Sequence, residues 1–175
     1  AQVLKVSELA RDAKLNAKTV SRHLSLMEAS YVLTRLEPYI ANRASRLIKS
    51  PKLYWTDTAL AMHLAGESLP RGAHLENLVL GDLLVWRETA ASTPQLFYWR
   101  TTTGEEVDFV LEREGRHLPI EVKATSRVRL RDARGLQLFR QEYSNTTRAG
   151  LLLHGGTETR WLADGVLAAP WWRIV

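Results

Sequence analysis

The first part of the chain combines segments of helical and strand-like hydrophobic spacing. Residues 7–14 ("SELARDAK") and 17–30 ("AKTVSRHLSLMEAS") place apolar side chains at the three- and four-residue spacing of amphipathic helices. Residues 31–36 and 52–57 alternate in the manner of half-buried strands, and the stretch between them is polar and basic. We therefore predict two helices and a long-looped β-hairpin, closed by a short helix before Gly66.

The order helix, turn, helix and hairpin is that of a winged helix, which we predict over residues 1–66. The charge distribution supports a DNA-binding role, because the whole net charge of +5 lies in residues 1–74, with 11 Lys/Arg against 6 Asp/Glu. A basic surface that is only solvated, or that docks on another protein, is the alternative. The basic stretch from Arg43 to Lys52 would be the wing. Side chains predicted to contact DNA from the second helix and this wing are Lys18, Thr19, Ser21, Arg22, Arg43, Arg46 and Lys49.

From residue 70 onward the pattern becomes α/β, and we predict a second domain over residues 70–175. A long apolar helix is followed by three strands, a helix and two further strands, which indicates a hairpin-rich mixed sheet flanked by helices. The predicted elements are a helix over 73–91, strands over 95–100, 106–113 and 117–123, a helix over 132–143, and strands over 150–154 and 159–163.

The central hairpin of this domain carries charged residues inside apolar strands. Glu121 and Lys123 share one face of their strand, and Asp108 on the facing strand can approach them. We expect Val107, Phe109 and Leu111 on the face opposite to Asp108. Two carboxylates suit a hard divalent cation such as Mg²⁺, and a lysine can orient water or stabilise charge on a phosphate. A solvated hairpin face with a cross-strand ion pair is the alternative.

A fourth carboxylate lies on the long helix. Glu76 shares an apolar stripe with Val79, Leu80 and Leu83, and a buried carboxylate is costly unless it is paired or bound to metal. We therefore place Glu76 at the same site. The acidic residues just before Asp108, Glu105 and Glu106, either widen this cation site or form a charged turn.

Asp108, then Glu121-Val122-Lys123 across a short hairpin, with Glu76 on a preceding helix, resembles the PD-(D/E)xK nuclease superfamily. The resemblance implies a restriction-endonuclease-like fold in which Glu76, Asp108 and Glu121 hold Mg²⁺ or Mn²⁺ and Lys123 assists hydrolysis. The chain departs from the family's named pattern because it reads "EEVD", without a proline before the aspartate.

Longer segments, among them "LENLVLGDLL", "FYWRTTTGEEVDFVLE" and "IEVKAT", resemble a domain of unknown function that follows an AAA+ ATPase module in many bacterial and archaeal proteins. This resemblance implies a winged helix joined to a nuclease-like fold, with the ATPase upstream in the full-length protein. The sequence contains no G-x-x-x-x-G-K-[ST] motif, so we expect no ATP hydrolysis by this chain.

Together these features predict a metal-dependent DNA phosphodiesterase. The alternative is a catalytically idle DNA-binding or protein-docking domain that regulates the attached ATPase. Arg127, Arg129 and Arg131, just beyond the hairpin, are further candidate contacts to nucleic acid, although a solvated edge explains them equally well. No apolar run approaches the ~20 residues that span a bilayer, and the chain has no cysteine, so we expect a cytoplasmic protein without a membrane partner.

Overall fold

The computed structural model describes residues 2–40 and 47–173. Within these ranges the α-helices are α1 (Val6–Asp12), α2 (Ala17–Ala29), α3 (Thr58–Leu64), α4 (Gly72–Thr89) and α5 (Arg134–Glu142). The strands there are β1 (Gln2–Val3), β2 (Leu33–Leu36), β3 (Lys52–Trp55), β4 (Gln95–Arg100), β5 (Glu106–Arg113), β6 (Arg116–Lys123), β7 (Gly150–His154), β8 (Arg160–Ala163) and β9 (Val166–Pro170). The predicted helices and strands are therefore present, whereas β1 and β9 were not predicted.

The first part of the chain folds as two helices beside a small antiparallel sheet. The strand order of this sheet is β1-β3-β2. Helix α2 begins where the side chain of Asn16 accepts a hydrogen bond from the Thr19 backbone N–H at 2.8 Å. Val20 and Leu24 of α2 pack with Ala10 of α1 and Leu33 of β2. The order of elements is the predicted one, and its assignment as a winged helix remains a prediction.

The second part contains a larger, mixed sheet with the strand order β4-β5-β6-β7-β9-β8. Strands β4, β5 and β6 pair antiparallel, β6, β7 and β9 pair parallel, and β8 pairs antiparallel with β9. One hydrophobic core includes α4 residues and a second includes α5 residues, so the helices flank the sheet. This confirms the predicted mixed α/β sheet flanked by helices.

A β-bulge interrupts the alternation along β5. Tyr98 of β4 lies opposite two β5 residues, Asp108 and Phe109, where the register of the pair shifts. Val107 therefore packs in the core that contains α5 residues, whereas Phe109 and Leu111 pack in the core that contains α4 residues. The prediction that these three apolar side chains share one face is wrong for Val107, because the extra residue reverses the alternation.

The small sheet and the large sheet share a core. Leu36 of β2 and Tyr54 of β3 belong to the same buried cluster as Leu80 of α4. The segment after β2 also runs along the outer edge of β4, where the Tyr39 N–H donates to the Tyr98 carbonyl at 2.6 Å. Strand β3 is therefore held directly against the second part. The division into domains over 1–66 and 70–175 remains a prediction.

None of the helices in the described ranges combines the length and the apolar character that a membrane crossing requires.

Candidate functional site

The four residues predicted to form the site lie on three neighbouring elements. Asp108 is on β5, Glu121 and Lys123 are on β6, and Glu76 is on α4. Asp108 and Glu121 are 8% and 7% exposed, which is unusual for carboxylates. The structure arranges these residues in two groups that share Asp108.

Asp108 lies where the beginning of β5 and the end of β6 separate. The paired residues of the two strands reach only as far as Phe109 and Ile120. Beyond this point the Val122 backbone N–H donates to Asp108 Oδ2 at 2.9 Å, so a side chain replaces the next backbone acceptor. The bulge and this splayed end together place the Asp108 carboxylate between the two strands.

The first group is centred on Lys52 of β3, whose ammonium is surrounded by carboxylates. Its Nζ lies 3.1 Å from Glu76 Oε1 and 3.5 Å from Asp108 Oδ1, and it also contacts Glu106 Oε1. Lys52 is only 2% exposed. We call Lys52, Glu76, Glu106 and Asp108 the lysine-centred cluster.

The prediction that Lys52 belongs to an exposed basic wing is wrong. The residue begins a strand of the small sheet, and its side chain points into the interior toward three acidic groups. One signal was present in the sequence: Lys52 and the aromatic Tyr54 are two positions apart on a strand, and hence share a face. The residue types alone did not show that this face is buried against carboxylates of a distant segment.

Consecutive residues of α4 fix β3 in this position. The Tyr54 hydroxyl donates to Glu76 Oε1 at 2.6 Å. The next residue, Asn77, accepts from the Trp55 N–H at 2.9 Å, and donates to the Trp55 carbonyl at 2.7 Å and to Thr58 Oγ1 at 2.8 Å. These hydrogen bonds satisfy the polar groups of the buried Asn77 side chain, and they fix the position of β3 relative to α4.

Lys52 and Glu76 of the lysine-centred cluster are both charged near neutral pH. Burial alone would lower the pKa of Lys52, but the charges of Glu76, Asp108 and Glu106 hold that pKa above its ordinary value. Burial alone would raise the pKa of Glu76, but Lys52 and the Tyr54 hydroxyl lower that pKa below its ordinary value. Lys52 and Glu76 therefore form a compensated pair of buried charges.

The second group, the strand-end cluster, consists of Asp108, Glu121 and Lys123. Lys123 Nζ donates to Glu121 Oε1 at 2.5 Å. Glu121 Oε2 is buried and has no hydrogen-bond partner among the residues that the structure describes. Such an oxygen is costly unless something fills the space beside it, so it marks a position suited to a ligand.

The carboxyl groups of the strand-end cluster titrate unusually. Burial, followed by the charge of Asp108, raises the pKa of Glu121 to about 8. Burial, followed by the charge of Glu76, raises the pKa of Asp108 to about 6. Burial alone would lower the pKa of Lys123, but Glu121 raises that pKa above its ordinary value. The cluster therefore combines two carboxyl groups that are difficult to ionise with a firmly charged ammonium.

The strand-end cluster contains carboxylate oxygens, the ligand type that a hard divalent cation uses. Mg²⁺ is commonly held by one or two carboxylates, with water and substrate phosphates completing its shell. Glu121 Oε2, which has no hydrogen-bond partner within residues 2–40 and 47–173, is a carboxylate oxygen of this kind. Among the described residues, no three or more His, Cys, Asp or Glu side chains are grouped as metal ligands. Glu76, the third predicted ligand, is bonded to Lys52 and Tyr54, and its role as a metal ligand remains a prediction.

The predicted nucleic-acid contacts that can be placed are at the surface. On α2, Lys18, Ser21 and Arg22 are exposed and Thr19 is half-buried, and Lys49 is exposed before β3. Arg43 and Arg46 lie outside the described residues.

Three further arginines of this set follow the end of β6. Arg127, Arg129 and Arg131 are exposed there. Arg127 also lines a cavity of about 590 Å³ beyond the ends of the parallel strands β6 and β7. Cavities at the carboxyl ends of parallel strands are common ligand positions.

Comparison with known proteins gives a family for each part of the chain. Residues 71–174 match the family described as "Domain of unknown function (DUF4143)", and residues 1–71 match "Domain of unknown function (DUF8612)". No solved structure matches the chain significantly.

Uncharacterized proteins of Mycobacterium tuberculosis and Mycobacterium bovis are similar to the chain. Each is 35% identical to it over 133 residues, which cover 71% of this chain. The match spans only 29% of the length of each relative. Because the family match over residues 71–174 covers more than half of the sequence, this chain belongs to the DUF4143 family of domains of unknown function.

Proposed function

We propose that the chain is a metal-dependent phosphodiesterase that cleaves DNA and has a PD-(D/E)xK-type, restriction-endonuclease-like fold. One observation carries the proposal: Glu121, buried between Asp108 and Lys123, has a carboxylate oxygen without a hydrogen-bond partner in the part of the chain that the structure describes. A structural ion pair needs no such oxygen, whereas a cation held by Asp108 and Glu121 would use it.

The division of labour among the side chains follows from their charges. Asp108 and Glu121 would hold Mg²⁺ or Mn²⁺, which when bound supplies charge neutralisation on the phosphate and a lower pKa for a bound water. Lys123 is half-exposed and keeps its proton, because Glu121 raises its pKa. Lys123 therefore acts as an ammonium that stabilises charge on the phosphate and positions the attacking water, and it does not act as a general base.

The proposal assigns DNA binding to the first part of the chain. In a winged helix, α2 would enter the major groove with Lys18, Ser21 and Arg22, which are exposed. Arg127, Arg129 and Arg131 would hold the phosphate backbone beside the strand-end cluster. In the full-length protein an upstream AAA+ ATPase module would supply the energy-dependent step.

Cleavage of DNA tests the catalytic half of the proposal. We expect plasmid and single-stranded DNA to be nicked in Mn²⁺ or Mg²⁺, and chelation to stop the reaction. Glu121→Gln and Asp108→Asn should each abolish cleavage, whereas Glu114→Gln, at an exposed position in the turn between β5 and β6, should leave it unchanged. Equal cleavage by Glu121→Gln and the wild type would contradict the assignment.

A second candidate function is a DNA-binding accessory domain without catalysis. The observation that favours it is the lysine-centred cluster, in which Glu76, Glu106 and Asp108 already have a protein cation between them. DNA binding without cleavage in any divalent ion would support this alternative.

Salt dependence tests DNA binding by α2 under either function. Each phosphate contact contributes about −0.9 to the slope of log affinity against log salt concentration. Lys18→Ala with Arg22→Ala should therefore reduce the slope by about 2. Arg113→Ala with Arg148→Ala removes two exposed charges elsewhere and should leave the slope unchanged. Equal slopes for the wild type and the α2 variant would exclude α2 as the DNA contact.

A further inference from the structure

We propose that the ammonium of Lys52 takes the position that a second divalent metal ion would occupy in the site. As a consequence, the chain binds one divalent metal ion and not two. The single ion is the one assigned to Asp108 and Glu121, and in that respect the inference rests on the proposed function. Lys52 is then a positioning residue supplied by the first part of the chain to a site in the second part.

The geometry around Lys52 is that of a bound cation. Oxygen atoms from three carboxylates, Glu76 on α4 and Glu106 and Asp108 on β5, surround its Nζ. The face of the Tyr98 ring lies 5.3 Å from the same atom, which adds a favourable cation–π interaction. Carboxylate oxygens are also the ligands that hard divalent cations prefer.

Burial excludes a direct role of Lys52 in binding DNA. The side chain is 2% exposed, so its ammonium cannot reach a phosphate. Its charge acts on the protein itself, because three carboxylates without a cation would be strongly destabilising in this position. The lysine therefore does permanently what a second metal ion would do only when bound.

Asp108 connects the protein cation to the proposed metal position. Its Oδ1 faces Lys52 at 3.5 Å, while its Oδ2 accepts a hydrogen bond at 2.9 Å from the backbone N–H of Val122, the residue after Glu121. In two-metal hydrolases the ions lie about 3.5–4 Å apart and act together on the phosphate. With Lys52 in one of the two cation positions, this site has room for one metal ion. The hydrogen bonds from Lys52 and Tyr54 to Glu76 occupy its carboxylate, so Glu76 does not bind that ion.

The number of ions bound per chain tests the inference. Titration with Mn²⁺, followed by electron paramagnetic resonance and calorimetry, should give one ion for the wild type and two for Lys52→Ala. Lys49→Ala, which removes an exposed lysine three positions earlier, is the matched control and should still give one.

Thermal unfolding covers the case in which the variant is unstable. Without its ammonium, Lys52→Ala should unfold at a much lower temperature in chelator, and Mn²⁺ or Ca²⁺ should raise its midpoint by more than that of the wild type or Lys49→Ala. A Lys52→Ala chain that stays unfolded in saturating Mn²⁺, or that binds no more ions than the wild type, overturns the inference.

The wild type separates this inference from the proposed function. Two ions in the wild type would overturn the role of Lys52 and leave the metal-dependent phosphodiesterase in place. No ion in the wild type but one in Lys52→Ala would support the role of Lys52 and overturn the phosphodiesterase. No ion in either chain overturns both.

Discussion

The two halves of the candidate site handle buried carboxylates in opposite ways. In the lysine-centred cluster, Glu76 and Glu106 meet a fully buried ammonium, and the pKa of Glu76 is lowered. In the strand-end cluster, Lys123 is half-exposed, one oxygen of Glu121 has no partner in the described structure, and the pKa of Glu121 is raised to about 8. A compensated charge contributes to structure, whereas an uncompensated one remains available for chemistry.

Removal of each lysine should show the largest difference between the clusters. We expect Lys52→Met to lower the free energy of unfolding by about 3–5 kcal/mol, because it leaves buried carboxylates without their cation. Lys123→Met should cost no more than about 1 kcal/mol, since its partner Glu121 can take up a proton instead. Denaturant unfolding in chelator measures both values, and equal losses would remove the distinction between the clusters.

The stability of the metal-free chain should fall as the pH rises. The folded state holds a proton on Glu121 up to a pKa of about 8, whereas the unfolded chain releases it near 4.5. The stabilising contribution of that proton is thus complete below pH 4.5 and is lost as the pH rises through 8.

We expect a decrease in the free energy of unfolding on the order of 2 kcal/mol between about pH 5 and pH 9. Glu121→Gln should flatten this dependence, and Glu114→Gln should retain it. Stability that rises over the same interval, measured in chelator, would show that Glu121 is ionised in the folded chain.

Loss of the Tyr54 hydroxyl should have a moderate effect. Tyr54→Phe removes the hydrogen bond to the Glu76 carboxylate without changing the packing of the ring, which should cost about 1.5 kcal/mol of unfolding free energy. Tyr31→Phe, at a residue that is 84% exposed, is the matched control and should cost nothing measurable. If Tyr54→Phe left the free energy of unfolding unchanged, the hydroxyl of Tyr54 would not be needed to stabilise the Glu76 carboxylate.

The smallest effect should come from the rim of the lysine-centred cluster. Arg100 Nη1 lies 3.4 Å from Glu106 Oε2, and its side chain is 38% exposed. Arg100→Ala should therefore cost less than about 1 kcal/mol, and the difference should shrink further in high salt. A loss as large as that of Lys52→Met would mean that the cluster depends on its rim and not on its buried ammonium.

The central hairpin illustrates what local sequence reasoning can predict. Apolar alternation and a turn correctly placed the strands of Asp108, Glu121 and Lys123 side by side. The bulge at Asp108 was not predicted, because an extra residue in a strand depends on the register of its neighbour β4. The bulge changed which apolar residues share a face, and it brought Asp108 between the strands.

Lys52 illustrates what local reasoning misses. A lysine in a basic stretch is most often solvated, and the sequence around it contains no acidic partner. Its partners Glu76, Glu106 and Asp108 come from segments that follow at considerable distance along the chain. Only the packing of β3 against α4 and β5 shows that the residue belongs to the site.

Hydrophobic periodicity and charge placement are local properties, so they were enough to predict the helices, the central hairpin, the mixed α/β class and the carboxylates of the candidate site. How those carboxylates are neutralised depends on the packing of distant segments and could not be predicted locally. Lys52 compensates Glu76, whereas one oxygen of Glu121 has no hydrogen-bond partner among the described residues, because the energy of a buried charge depends on which distant groups fold against it.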